Sequence, residues 1–205
     1  MCFYSKITQD ALTVANRFKA RFEDEGRYSP REIVNAFEHS ANPVITNDNP
    51  QLIRYFNWGI IPEGSSDFSI RKYTLNARIE SLANTRSFKD LITYRCLVPA
   101  DGFYEWKHIT DESGRVLKER YLITEESGEL FAFAGLWCQW KRGAETISTY
   151  TICTTEANEL MSEIHNTNRR MPVILKKEDE NRWLSGSKVD VFAYPYSVNL
   201  KAERM

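Results

Sequence analysis

The chain has 205 residues, of which 42% are hydrophobic and 27% charged, and its formal net charge is −1. These values predict one soluble globular domain over residues 1–205, and the near-zero charge argues against a protein that coats nucleic acid non-specifically. A small basic site stays open, because phosphate contacts act locally and are screened within ~10 Å. No apolar run approaches the ~20 residues of a membrane span, and the amino terminus lacks the features of a secretion signal. We therefore expect a cytoplasmic protein without membrane contact.

Hydrophobic periodicity divides the chain into short helices and many strands. The first helix is expected within 8–22, capped by Thr8 or Asp10, and a capping-box spacing at 29–32 predicts a second helix through Phe37. The other predicted helices lie around 87–93, from 154–158 to 164, and over 178–184, with an exposed loop at 63–72. Strands are predicted over 43–47, 52–62, 95–109, 119–126, 130–140, 148–155 and 172–175. This order indicates an α+β fold, a single domain with a curved, mainly antiparallel, barrel-like sheet flanked by short helices.

Cysteine spacing argues against a metal ribbon and points to the amino end of the chain. The four cysteines (Cys2, Cys96, Cys138 and Cys153) form no C-x-x-C pair, so a zinc ribbon or thioredoxin-like motif is not expected. Cys96 and Cys153 lie in strand-like apolar runs, which indicates core positions.

Cys2 has chemistry that the other cysteines lack, because removal of Met1 would leave it with a free α-amine beside its thiol. Such removal is expected when the second residue is small, and the two groups have unperturbed pKa values of roughly 8 and 8.5. An aldehyde forms an imine with the amine, and the thiol then closes a five-membered thiazolidine. The alternative is an ordinary cysteine on a frayed terminus.

Two titratable residues stand in segments that otherwise look buried. Glu105 lies among aromatic residues in a strand-like run, where desolvation would raise its pKa and suit it to proton transfer; the alternation of the strand equally allows it to face solvent. His165 follows a helix-like segment and is either a charge complement to the helix dipole or a general acid/base.

An asparagine and three arginines suggest recognition of an anion. Asn76 beside a strand end is a turn former or cap, or an orienting group for a reacting centre. Arg78 would share its face in an extended chain, and its planar fork suits phosphate or carboxylate. Arg169 and Arg170 are expected to add to the same basic spot.

Six motifs occur in order along the chain and together resemble one family. They are Met1-Cys2, NARIE at 76–80, RCLVPADGFYEW at 95–106, FAGLW at 133–137, TTEAN at 154–158, and IH at 164–165 followed by RMPVIL at 170–175. With a closing segment at 194–199, this pattern resembles the SOS-response-associated peptidase (SRAP) family.

The resemblance implies a protein that recognises abasic sites in single-stranded DNA and at junctions with duplex, and that traps the ring-opened aldehyde as a thiazolidine. It implies that Cys2 is the crosslinking nucleophile and that Asn76 positions the terminal amine and the sugar. Glu105 would shuttle protons, and His165 would act as acid/base on the sugar oxygen and in reversal. No metal or other cofactor is implied. The peptidase activity in the family name refers to autocatalytic removal of residues ahead of the cysteine.

The resemblance also implies how DNA is held. Arg78 and Arg170 would hold phosphates beside the lesion, and Trp58 and Trp106 would wall the cleft unless they pack in the core. We expect a monomer that associates with the nucleoid when bound to DNA.

The sequence departs from the family pattern at three places. Phe3-Tyr4 replaces the frequent Gly-Arg after the cysteine, although Tyr4 is able to stack on a base, a contact worth ~1–3 kcal/mol. A second tryptophan often seen beyond Ile-Pro is missing. Four residues instead of one separate His165 from Arg170, so Arg169 competes with Arg170 for the phosphate role.

Two other functions fit the same residues. An N-terminal-nucleophile amidohydrolase would use Cys2 on a small amide and would need no DNA. A non-catalytic single-strand-binding module would bind intact and abasic strands about equally and form no covalent product.

Overall fold

The computed structural model describes residues 2–205, so the expected removal of Met1 lies outside the described residues. Fourteen strands carry the described fold. They are β1 Tyr4–Ile7, β2 Arg21–Phe22, β3 Arg31–Asn35, β4 Ala41–Thr46, β5 Leu52–Trp58, β6 Asn76–Arg78, β7 Arg95–Ala100, β8 Gly102–Thr110, β9 Val116–Glu125, β10 Phe131–Arg142, β11 Glu145–Glu156, β12 Arg170–Pro172, β13 Ile174–Leu175 and β14 Leu200–Arg204.

A closed barrel forms the centre of the larger sheet. Strands β11, β10, β7, β4 and β5 pair in that order, and a parallel pairing between β5 and β11 closes the ring. At the closure Trp58 stacks on Tyr150 with ring centroids 5.7 Å apart, and its indole N–H donates to the Leu75 carbonyl at 2.7 Å. The α+β class and the barrel-like, mainly antiparallel sheet are therefore confirmed.

The amino end of the chain is built into a second sheet. This sheet has the order β14-β9-β8-β1-β3, so β1 is paired on both sides. In the antiparallel pairing with β8, Tyr4 lies opposite Tyr104 and Ser5 opposite Phe103. Continuing that register places the two residues before Tyr4 beside Glu105 and Trp106.

Three short α-helices flank the sheets within the described part of the chain: α1 Ala11–Phe18, α2 Glu159–Ile164 and α3 Glu180–Leu184. The side chain of Asp10 caps α1 by accepting from the Thr13 amide at 2.8 Å, as one of the two caps expected. In the described residues no helix is long and apolar enough to cross a membrane.

Several expected helices are wrong because tertiary pairing overrides local pattern. Residues 29–37 contain β3, which pairs with β1. The end of the first expected helix is β2, which pairs with β5. Residues 87–93 hold only a single 3₁₀ turn, Lys89–Leu91. The strand β11 continues through 154–156, so α2 begins only at Glu159.

The structure also corrects two smaller predictions. The exposed loop at 63–72 includes most of a 3₁₀ helix, Phe68–Tyr73. The strand expected over 172–175 is divided into β12 and β13, because the Val173 amide donates to the Cys153 carbonyl on β11 at 2.9 Å whereas its carbonyl accepts from the Ala134 amide on β10 at 2.9 Å. Cys96 and Cys153 lie fully buried in the core, as expected.

Candidate active site

Cys2 is the residue on which the site is built, and it is part of the folded core. It immediately precedes β1 and has no exposed surface, with its sulfur 4.0 Å from the Tyr4 carbonyl oxygen. Burial raises the pKa of the Cys2 thiol far above its usual range, and the nearby Glu105 charge raises it further. The thiol is therefore neutral, and the alternative of a frayed terminus does not describe this residue.

Asn76 holds the main chain of Cys2. Its strand β6 pairs in parallel with β11, with Asn76 opposite Ile152, and its Nδ2 donates to the Cys2 carbonyl oxygen at 2.9 Å. The Oδ1 atom of the same amide is buried and accepts no hydrogen bond from the residues described. The amide therefore fixes Cys2 with one end and presents an acceptor with the other.

Glu105 faces the interior, not solvent. It lies on β8 and is only 4% exposed. Burial raises the pKa of its carboxyl to about 7, so near neutral pH this group is present in both protonation states. A group with this pKa beside a buried thiol is suited to accept and return a proton.

His165 caps the end of α2, a helix that packs against β8. Its Nδ1 lies 2.9 Å from the Arg170 carbonyl oxygen and 3.1 Å from the Arg170 amide nitrogen. Burial lowers the pKa of the ring to about 4, and the positive charge of Arg170 contributes in the same direction. The ring is therefore neutral at pH 7 and does not serve as a charged complement to the helix dipole.

The three arginines occupy different environments. The guanidinium of Arg170 is buried and forks onto Glu80 with distances of 3.0 and 2.8 Å. Arg78, at the end of β6, and Arg169, whose φ is 47°, are both exposed. All three stay predictions as phosphate ligands.

The aromatic candidates also differ in burial. Trp58 is completely buried at the barrel closure, which is the core position that the sequence left as its alternative. Tyr4 and Trp106 are half-buried and form an edge-to-face pair with centroids 4.9 Å apart. This pair lies where β1 and β8 meet, beside Glu105, and its contact with DNA stays a prediction.

Two residues near the site had no role assigned from sequence. Glu80 ends the NARIE motif and accepts from Arg170, from the Thr155 hydroxyl at 3.1 Å and from the Glu156 amide at 3.2 Å. Asn166 bonds both main-chain groups of His108 on β8, at 3.1 and 2.7 Å. The motif is the only sequence signal for Glu80, and nothing in the sequence indicates the Asn166 contact.

Within residues 2–205 no group of three or more His, Cys, Asp or Glu side chains is arranged to hold an ion. The candidate chemistry derived from the site uses a thiol, a carboxyl, an imidazole and an amide.

The fold brings these groups together around Cys2, a buried residue that immediately precedes a strand of the sheet next to the closed barrel. The chain belongs to the SOS response associated peptidase (SRAP) family, whose profile matches residues 1–200.

Two relatives have related names, and a solved structure has the same fold. Abasic site processing protein YoqW of Bacillus subtilis (strain 168) is 38% identical over 172 residues, which are 83% of this chain and 73% of that protein. Abasic site processing protein HMCES of Gallus gallus is 30% identical over 200 residues, covering 80% of this chain and 56% of that protein. A crystal structure of a Bacteroides thetaiotaomicron protein superposes with a TM-score of 0.90 and 30% identity, covering 100% of this chain and 92% of the other.

Proposed function

We propose that this protein processes abasic sites by trapping their aldehyde as a thiazolidine on Cys2 after Met1 is removed. The observation that carries the proposal is the placement of Cys2, whose main chain is held by Asn76 at 2.9 Å and whose thiol lies within the field of the buried Glu105. The names of the relatives support abasic sites as the substrate class.

The bond-forming steps balance without an added reagent. The free α-amine of Cys2 attacks the aldehyde carbon, and loss of one water gives an imine. The thiol then adds to the imine carbon, its proton passes to the nitrogen, and a five-membered ring closes. One carbon–nitrogen and one carbon–sulfur bond form, and one water leaves.

The surrounding groups supply orientation and proton transfer. Asn76 fixes Cys2, and its buried Oδ1 is available to accept a hydrogen bond from the amine. Glu105 takes the thiol proton, which is required because burial keeps the thiol neutral. His165, neutral at pH 7, transfers a proton to or from the sugar oxygen and serves reversal of the link.

The DNA is held in single-stranded form or at a junction with duplex. Arg78 and Arg169 are exposed and suited to flanking phosphates, and the Tyr4–Trp106 pair offers a surface for base stacking. One copy of the chain contains every proposed catalytic group, so a monomer suffices.

The peptide bond ahead of Cys2 is the proposed substrate of the peptidase activity. We expect a chain made with extra residues before Cys2 to remove them autocatalytically. Intact-mass measurement over time checks this, with Glu105→Gln as the variant that should process more slowly.

The test of the main proposal uses single-stranded DNA with one abasic site. Mature protein should give a species that survives denaturation, with a mass equal to protein plus DNA minus one water. Cys2→Ala should give none, whereas Cys138→Ala, a buried cysteine on β10, should behave as wild type. A tetrahydrofuran analogue, which has no aldehyde, should also give none.

Other outcomes would assign a different function. Absence of the covalent species with wild type, or its persistence in Cys2→Ala, would refute the proposal. Turnover of small amides without DNA would indicate an amidohydrolase. Equal, non-covalent binding of intact and abasic strands would indicate a binding module.

A further inference from the structure

The guanidinium of Arg170 is committed to a network inside the protein. Its two terminal nitrogens pair with both carboxylate oxygens of Glu80, and one also donates to the Thr154 carbonyl at 2.8 Å. The side chain of Arg170 is only 9% exposed. Glu80 is itself held by Thr155 and by the Glu156 amide, so this ion pair has a fixed position on β11.

The main chain of Arg170 is what contacts His165. Nδ1 of the ring lies within hydrogen-bond distance of both the carbonyl oxygen and the amide of Arg170. With its proton on Nδ1, the ring donates to the carbonyl and leaves a lone pair on Nε2. With its proton on Nε2, the ring accepts from the amide. The main chain of one residue, Arg170, therefore pairs with either tautomer of the ring, and a group that both gives and takes a proton needs such a pairing.

We propose that Arg170, clamped by Glu80, is a positioning residue for His165, and that the phosphate role passes to the exposed Arg169 and Arg78. Glu80 fixes the guanidinium, the guanidinium fixes its own strand β12, and the main-chain amide and carbonyl of Arg170 set the direction of the His165 ring. The inference rests on the proposed crosslinking function and adds two residues to it.

Charge and exposure separate the two neighbouring arginines. A guanidinium that forks onto a carboxylate and is nine-tenths buried must break that pair before it meets a phosphate. Arg169 and Arg78 are exposed, and the ion pairs within residues 2–205 include neither of them. The longer segment between His165 and Arg170 places Arg169 at the surface while Arg170 turns inward.

The first measurement is the salt dependence of non-covalent binding in a Cys2→Ser background. Each phosphate contact contributes a slope of roughly −0.7 in log K against log salt for a single strand. Arg169→Gln should therefore flatten the slope by about that amount, while Arg170→Gln and Glu80→Gln should leave it unchanged. A slope flattened by Arg170→Gln would overturn the inference.

The second measurement is the single-turnover rate of crosslinking and of reversal at saturating abasic DNA. Glu80→Gln removes the charge but keeps the size, and we expect its rates to fall about tenfold, equal to ~1.4 kcal/mol. In a His165→Gln background the same change should have little effect, because the residue being positioned is absent. Glu112→Gln, an exposed carboxylate in the β8–β9 turn, is the charge-matched control. Equal rates for wild type and Glu80→Gln would refute the positioning role.

The third measurement does not depend on the reaction. The ¹⁵N shifts of the His165 ring should report a changed tautomer ratio in Glu80→Gln and an unchanged one in Glu112→Gln. Should wild type form no crosslink, the proposed function fails while these shifts still test the positioning role; identical shifts in all three proteins would refute it. Should Glu80→Gln unfold, Glu80→Asp and Arg170→Lys test the same contact with the charges kept.

Discussion

A buried, neutral thiol is a poor nucleophile until its proton is removed. Cys2 has no exposed surface, and both its burial and the Glu105 charge raise its pKa. The same burial raises the pKa of Glu105 to about 7. The two groups are therefore coupled: the environment that suppresses the thiolate also raises the basicity of the carboxylate, which in the proposed mechanism takes the thiol proton during attack.

This coupling predicts that the crosslinking rate depends on pH through the titration of Glu105. A carboxylate is a base only when deprotonated, and with a pKa of about 7 the deprotonated fraction rises from roughly one tenth at pH 6 to roughly nine tenths at pH 8. The ratio of the wild-type crosslinking rate to that of Glu105→Gln should therefore grow through this range. The ratio is used because the titration of the α-amine enters the rates of both proteins.

Single-turnover rates at saturating abasic DNA between pH 5.5 and 8.5 provide this measurement. Glu112→Gln should follow the wild-type profile throughout. A ratio that stays constant with pH would show that Glu105 does not act as the base.

At the scale of elements, the site depends on how α2 and β8 are joined. His165 ends α2, Glu105 lies on β8, and the side chain of Asn166 bonds both the amide and the carbonyl of His108. At His108, the side-chain amide of Asn166 makes the two main-chain hydrogen bonds that a neighbouring strand would otherwise make. It fixes the distance between the elements that carry the proposed acid/base groups.

We expect Asn166→Ala to loosen this joint without unfolding the protein. Loss of two exposed hydrogen bonds should cost about 1–2 kcal/mol, and hydrogen exchange of the His108 amide should become faster. Asn168→Ala, in the same exposed loop but outside this contact, is the matched control. Unchanged protection of the His108 amide in Asn166→Ala would contradict the prediction.

Elements with clear periodicity could be predicted from the sequence, whereas their pairing could not. One strand over 95–109 was predicted because β-forming residues cluster there, whereas the structure divides this segment into β7 and β8, which belong to different sheets. The predicted turn at 111–114 follows β8. The helix predicted over 29–37 is wrong because the capping-box spacing is a local signal, while β3 forms through long-range pairing with β1.

The identity of the site residues could likewise be predicted from the sequence, whereas the contacts between them could not. Cys2, Asn76, Glu105 and His165 were identified by their chemistry and by family motifs. The contact between Asn76 and Cys2 joins residues 74 positions apart, and no spacing rule predicts it. The pairing of Arg170 with Glu80 joins residues 90 positions apart, so sequence alone could not separate Arg169 from Arg170.

For the molecule as a whole, the closed barrel requires close approach of backbones. Gly135 lies on β10 opposite Cys96 on one side and Ile152 on the other. A Cβ added there would lie 2.7 Å from the Thr151 carbonyl oxygen and 2.8 Å from the Cys96 sulfur. This explains physically why a glycine stands within the FAGLW motif.

Gly135→Ala should therefore destabilise the protein by about 1–3 kcal/mol, because strand backbone cannot move aside without opening the barrel. Gly26→Ala is the control, since the nearest atom to its added Cβ is 3.5 Å away and no positive φ is required. Denaturant unfolding measures both variants. Equal stability of the two would contradict this account of the barrel.

Two buried titratable groups should give the whole molecule opposite pH dependences of stability. Glu105 has its pKa raised from 4.5 to about 7, so the folded state binds the extra proton, and stability falls as pH rises from 4.5 through 7. His165 has its pKa lowered from 6.5 to about 4, so the unfolded state binds the extra proton, and stability falls as pH drops from 6.5 through 4. Between pH 4.5 and 6.5 the two contributions oppose each other.

Removing either group should expose the contribution of the other. Relative to wild type, Glu105→Gln should gain unfolding free energy as pH rises from 4.5 to 7, by at most about 3 kcal/mol. His165→Gln should gain relative to wild type as pH falls from 6.5 to 4, by a similar amount. Urea unfolding of both variants, wild type and Glu112→Gln across pH 4–8 gives these differences. Parallel stability profiles for all four proteins would mean that neither group changes its pKa on folding, and the acid/base roles derived from burial would lose their basis.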